Sequence, residues 1–173
     1  MKVLGLTGWS GSGKTTLIVK LIPELVSRGI RVSTMKHAHH AFDVDKPGKD
    51  SFRHREAGAT EVLVSSEHRW ALMHEHRGDV EPSAVELTQH MTPVDLLLIE
   101  GFKREAHDKL EIFRRNLDKP LLSTGDASFV AVLSDGAVPE SGLPVIDLND
   151  TIAIADFIIS HCRLSNLRGR QSC

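Results

Sequence analysis

The 173-residue chain is predicted to fold as an α/β protein, a mostly parallel central sheet flanked by helices, on three observations. A short apolar run, Lys2–Thr7 (KVLGLT), leads into a glycine-rich loop and then a helical pattern, the order in which a parallel α/β sheet begins. Val94–Ile99 (VDLLLI) is apolar at nearly every position, as a strand buried on both faces of such a sheet must be. The composition, 40% hydrophobic and 25% charged, belongs to a globular chain rather than a disordered one or a coiled coil.

The remaining elements follow in order. From Lys14, apolar residues at Leu17, Ile18, Leu21, Ile22 and Leu25 recur at helix spacing, and Gly29 is placed to end the helix. Pro23 removes one backbone donor inside it and predicts a slight kink. Arg31–Lys36 reads as the second strand, and the polar stretch His37–Lys49 as an exposed loop. Asp50–Ala57 predicts a short helix with Asp50 or Ser51 near its cap. Glu61–Ser65 and Trp70–His74, joined by SEHR, predict an added hairpin. Ser83 with Glu86 three residues on is a capping box opening a helix to about Met91, closed by Pro93. Further strands are expected at Leu110–Phe113, Phe129–Leu133 and Pro144–Asp147, and a last helix at Thr151–Cys162. With no internal repeat or linker, a single domain is expected over residues 1–163, followed by a polar, basic and flexible tail at 164–173.

Composition also narrows function. Lys+Arg 21 against Asp+Glu 23 leaves a net charge of −2, and aromatics are only 5% with no tyrosine, which argues against nucleic acid as a partner. No apolar run approaches the roughly 18–20 residues that span a bilayer, and the glycines of MKVLGLTGWSGSGK come too early for a secretory signal. Cys162 and Cys173 lack a partner cluster, so neither a disulfide framework nor a cysteine zinc site is expected. A cytoplasmic protein without membrane contact is the expectation.

Chemistry enters at Gly8-Trp9-Ser10-Gly11-Ser12-Gly13-Lys14-Thr15, which satisfies every fixed position of the phosphate-binding loop G-x-x-x-x-G-K-[ST]. The glycines let successive N–H groups face one concavity, which opens on a helix N-terminus that favours an anion. Lys14 supplies a mobile positive charge for the β- and γ-phosphates, and Thr15 a hydroxyl for Mg²⁺. The predicted architecture is therefore a three-layer P-loop NTPase fold. Such a site needs an acidic group at the tip of a neighbouring strand, and Glu100, ending LLLIE, is placed there. Asp95, about five residues and roughly 16 Å back along that strand, is too far to do the same. Lys36, Asp43, Asp45 and Asp50 follow the second strand, where ligands of such folds sit, with Lys46 and Lys49 able to reach phosphate. Asp135, after FVAVLS, is the candidate acceptor for a guanine edge, since no Asn-Lys-x-Asp motif is present. The cluster His37, His39 and His40 is expected on a polar pocket rim; a transition-metal site is the competing reading.

Taken together, GWSGSGKTTL (Gly8–Leu17), MKHAHHAFDVDKPGKDSFRHREAGA (Met35–Ala59), RWAL (Arg69–Leu72) and LLLIEGFKRE (Leu96–Glu105) resemble the molybdopterin-guanine dinucleotide biosynthesis protein B (MobB) family. The resemblance implies a homodimeric α/β protein that binds GTP with Mg²⁺ and hydrolyses it weakly. It also implies an accessory role beside the molybdenum cofactor guanylyltransferase that attaches GMP to molybdopterin, with molybdopterin itself a possible ligand. By position it places Gly11, Ser12, Gly13, Lys14, Thr15 and Thr16 on phosphates, Thr15 and Glu100 near magnesium, and the Lys36–Asp50 segment around the pocket. Two other readings remain open on the residues. A small-molecule P-loop kinase would need an arginine lid, for which Arg53, Arg55, Arg69 and Arg77 are available without a compact lid segment. A metal-insertion GTPase would use the histidine cluster.

Overall fold

Six strands form one parallel sheet in the order β2-β5-β1-β6-β7-β8: β1 (Lys2–Thr7), β2 (Val32–Lys36), β5 (Leu96–Glu100), β6 (Lys109–Phe113), β7 (Phe129–Ser134) and β8 (Val145–Asp147). The α/β class and its parallel sheet are thus as predicted. The computed structural model describes residues 1–38, 42–103 and 105–164. They fall into two compact units, Met1–His37 with the chain from Met91 onward, and Ala38–His90.

Alternation along the strands decides which side chains meet the helices. Leu4, Leu6, Leu96, Leu98, Leu110, Ile112, Ala131 and Leu133 are buried on the face covered by α1 (Lys14–Ser27) and α4 (Thr151–His161). There they pack on Leu17, Leu21, Leu25, Ile154 and Ile158. The helix α1 ends as predicted at Gly29: the Gly29 N–H donates to Val26 O and the Ile30 N–H to Leu25 O, the paired bonds of a Schellman motif. Pro23 lies inside this helix. Arg28 ties α1 to α4 by bridging Glu24 and Asp156. After α4 the Leu164 N–H donates to Ile159 O, and the rest of the predicted tail lies outside the described residues.

The second unit holds α2 (Asp50–Glu56), the antiparallel hairpin β3 (Glu61–Ser65) and β4 (Trp70–His74), and α3 (Ala84–Thr88). The hairpin has the predicted boundaries. Ser83 and Glu86 make the predicted capping box, with bonds in both directions, though α3 stops at Thr88. The N-cap of α2 is Lys49, without a side-chain bond, and Asp50 follows at the first helical position, near the cap as expected.

Candidate functional site

Register brings Lys36, Glu100, the phosphate loop and Asp135 into one row along the carboxyl ends of the strands. Lys36 of β2 is opposite Glu100 of β5, and Glu100 is opposite Leu6 of β1, two residues before the glycine-rich loop begins at Gly8. On the other side, Glu111 of β6 faces Thr7, Phe113 faces Ser134, and Ser134 faces Asp147. Arg114 and Asp135 each follow directly on their strands, so the row runs Lys36, Glu100, the loop, Arg114, Asp135, Asp147.

Close approach shapes the loop. A side chain at Gly8 would place its Cβ 2.5 Å from Ile112 O, so only glycine lets β1 turn out beside β6. Gly13, at φ 97°, is the N-cap of α1 and makes no side-chain cap bond, and the first turn of the helix carries no acidic residue. Its leading N–H groups are therefore offered to a ligand rather than to a capping side chain. The Ser12 side chain is fully buried and its Oγ has no hydrogen-bond partner among the described residues. Trp9 closes the outer side of the loop by donating from Nε1 to Pro120 O at 2.8 Å.

Lys14 folds back over the loop, its Nζ donating to Gly8 O and Trp9 O at 2.9 Å each. Burial holds its ammonium below the ordinary lysine value; Glu100 opposes that shift, and the charges of Lys103 and Lys36 add to it. Thr15 Oγ1 donates to Glu100 at 3.1 Å and 3.3 Å, and Lys36 Nζ lies 3.7 Å from Glu100 Oε1. Lys103 sits over the Trp9 ring, 5.0 Å from its centroid. Lys14 thus feels two further ammonium groups against one carboxylate, an excess of positive charge that a phosphate would relieve. Ser10, Gly11, Gly13, Lys14, Thr15, Thr16 and Glu100 line a cleft of about 390 Å³. Asp95 lies at the opposite end of β5 and pairs with Arg31 at 3.1 Å.

Arg114 is the residue the sequence did not single out. Its Nε donates to Ser12 O at 3.0 Å and one terminal nitrogen donates to Asp135 Oδ2 at 2.8 Å, joining the loop to the end of β7. Beyond it, Ser134, Asp135, Gly136, Ala137, Val145 and Asp147 line a second pocket of about 290 Å³. The position of Arg114, first after a strand adjoining β1, was the only signal that could have found it.

In residues 38–90 the carboxylates bond one another's neighbours. Arg55 pairs with Asp43 and Glu75 at 2.9 Å each and stands 3.6 Å from Asp45, which also accepts from Ser51 Oγ at 3.0 Å. Arg77 donates to Arg55 O and Ala59 O at the end of α2. Arg55 and Arg77, two of the lid candidates, are therefore engaged within their own unit, and Asp50 begins α2 on the surface. His37 packs its ring on Phe102 with centroids 4.7 Å apart; His39 and His40 lie outside the described residues. Among the described residues no helix is long and apolar enough to cross a membrane.

Comparison with known proteins adds to this geometry. The family model for molybdopterin guanine dinucleotide synthesis protein B matches residues 3–135. A molybdopterin-guanine dinucleotide biosynthesis adapter protein of Escherichia coli is 43% identical over 168 residues, covering 95% of each chain. One of Haemophilus influenzae is 44% identical over 156 residues, covering 90% of this chain and 86% of its own. Among solved structures, a molybdopterin-guanine biosynthesis protein B superposes with a TM-score of 0.73 at 26% identity, over 92% of this chain and 99% of its own.

Proposed function

Because the chain belongs to the molybdopterin guanine dinucleotide synthesis protein B family, we propose that it is an adapter of molybdopterin-guanine dinucleotide biosynthesis that binds GTP with Mg²⁺ on its Gly8–Thr15 loop. The observation that carries this reading is the row of side chains along the strand ends, with a cationic cleft at one end and a carboxylate-lined pocket at the other. The donor set suits magnesium: the Thr15 hydroxyl and the Glu100 carboxylate are hard oxygens 3.1 Å apart, and magnesium is commonly held by one or two such groups alongside phosphate oxygens and water. When bound, the ion would neutralise charge on the β- and γ-phosphates.

The chain's own residues then divide the work. Lys14 leaves the Gly8 and Trp9 carbonyls and turns to the terminal phosphates. The free N–H groups of the loop and of the first turn of α1 take the other phosphate oxygens. Glu100 keeps Thr15 and Lys36 facing the metal end, and Asp135 accepts from the guanine edge in the far pocket. Asp45 and Asp50 belong to the segment that the family resemblance sets around the nucleotide.

Hydrolysis is weak on this reading, because Lys14 is the only motif cation and an added arginine finger supplies about 10³–10⁵ in rate. Isolated protein turns over less than about once per minute, and the cytoplasmic partner is the guanylyltransferase of the pathway, acting with a homodimer of this chain. The test is Lys14→Ala. Charge-assisted bonds to phosphate contribute roughly 1.5–3 kcal/mol, so GTP affinity falls about 10- to 150-fold in a calorimetric titration while the melting temperature holds. Unchanged affinity removes the loop from the reading.

A further inference from the structure

Between the cleft and the pocket stands one guanidinium, bonded to the phosphate loop on one side and to Asp135 on the other. Arg114 Nε holds the Ser12 carbonyl of the phosphate loop at 3.0 Å, and the same side chain holds Asp135 Oδ2 at 2.8 Å. Its side chain is 31% exposed and that of Asp135 28%, so the pair is partly shielded from water and its geometry is less open to competition than a surface pair. The backbone at both ends is fixed: Arg114 follows β6 and Asp135 follows β7, whose last residues, Phe113 and Ser134, are in register. Beside the guanidinium the Gly136 N–H donates to Ser134 Oγ at 3.2 Å, and Arg115 donates to Ala137 O, so the turn carrying Asp135 is braced on both sides.

We propose that Arg114 is a positioning residue for base selection: it fixes the Asp135 carboxylate at the wall of the far pocket, oriented to accept from the N1–H and 2-amino groups of guanine. This rests on the GTP reading above. The pair leaves one carboxylate oxygen outside the 2.8 Å bond, and a carboxylate held by one oxygen presents the other in a single direction. A carboxylate free to rotate would select less, because discrimination comes from donors and acceptors that are left unpaired by the wrong base.

The test measures affinities of the full chain for GTP, ITP (which lacks the 2-amino group) and inorganic triphosphate, in the parent, Arg114→Ala, Asp135→Ala and the double variant. The expected result is a loss of about tenfold in GTP affinity in Arg114→Ala, the size of one charge-assisted bond. The GTP-over-ITP preference collapses, and inorganic triphosphate changes by less than about threefold. The double variant loses no more preference than either single one, because both act through the same carboxylate. If Arg114→Ala weakens GTP, ITP and inorganic triphosphate alike while Asp135→Ala alone loses the preference, Arg114 only braces the loop and the inference is overturned with the base reading intact. If Asp135→Ala keeps the preference, the base reading itself fails. Arg114→Gln, which retains a donor but no charge, gives the same loss of preference and serves if Arg114→Ala does not fold.

Discussion

In the sheet unit, Leu4, Leu6, Leu96, Leu97, Leu98 and Ile99 have no exposed surface at all. In residues 38–90, Val62 and Ala84 are the only buried side chains among the described residues, while Leu63, Trp70 and Leu72 remain 60%, 63% and 42% exposed. What that second unit has instead is Arg55 drawing in Asp43, Asp45 and Glu75, Arg77 on the end of α2, and the capping box of α3. A two-stranded hairpin is marginal alone in water, so its fold depends on these polar contacts. The sheet unit is held by burial, which neither pH nor salt removes; the hairpin unit is held by charges, which both can weaken.

Core truncation gives the largest expected difference. Leu98→Ala lowers the stability of the chain by about 2–5 kcal/mol in urea unfolding, while Leu63→Ala changes it by less than about 0.5 kcal/mol. Equal losses from the two substitutions would erase the distinction between the units.

Removing the central charge of the hairpin unit is the next largest. Arg55→Ala leaves three carboxylates facing one another, and hydrogen exchange then speeds up across β3 and β4 while β1 and β5 keep their protection. Acceleration spread evenly over both units would show that Arg55 supports the whole chain.

Acid sharpens the same comparison more gently. The Asp45 N–H bond and Arg55 hold the Asp43 carboxyl below the usual aspartate range, and the Ser83 N–H and hydroxyl do the same for Glu86. A carboxyl lowered on folding stabilises above its unfolded value and stops doing so as pH falls through its folded one. Protection of β3 and β4 therefore stays level from neutral pH down to about pH 4 and declines below it. The sheet unit carries a lowered carboxyl at Asp126, beside Ser128, so the contrast is one of degree. Protection that already falls between pH 7 and pH 5 would contradict the assignment to Asp43 and Glu86.

How far the sequence reaches differs within the site as well. β1, α1, the hairpin and the capping box follow from local pattern, and Thr15, Lys36 and Glu100 come together because parallel register aligns the strand ends that the pattern predicts. Arg114 was not legible, since its value depends on a carbonyl 102 residues away. Strand β6, KLEIF, hides a similar surprise. Its two charged residues, Lys109 and Glu111, are 1% and 0% exposed. Glu111 accepts from the Leu122 and Ser123 N–H groups at 2.7 Å and 2.8 Å, and Lys109 donates to Ser128 Oγ at 2.7 Å. Irregular chain after the strand supplies those partners, and nothing in local periodicity encodes where such chain will lie. At α2 the pattern places Asp50 near the cap, which is Lys49, the residue just before it.

On the function proposed above, the carboxyl ends of the strands hold a guanine nucleotide, with Thr15 and Glu100 as the residues that would hold magnesium. The direct measurement is a calorimetric titration of GTP, ATP and GMP, with and without Mg²⁺, into the parent chain and into Glu100→Gln. The account predicts that the parent binds GTP more tightly than ATP or GMP and more tightly with Mg²⁺ than without, and that the gain from Mg²⁺ disappears in Glu100→Gln. A parent chain that binds GTP and GMP equally, or a Glu100→Gln variant that answers magnesium as the parent does, would contradict it.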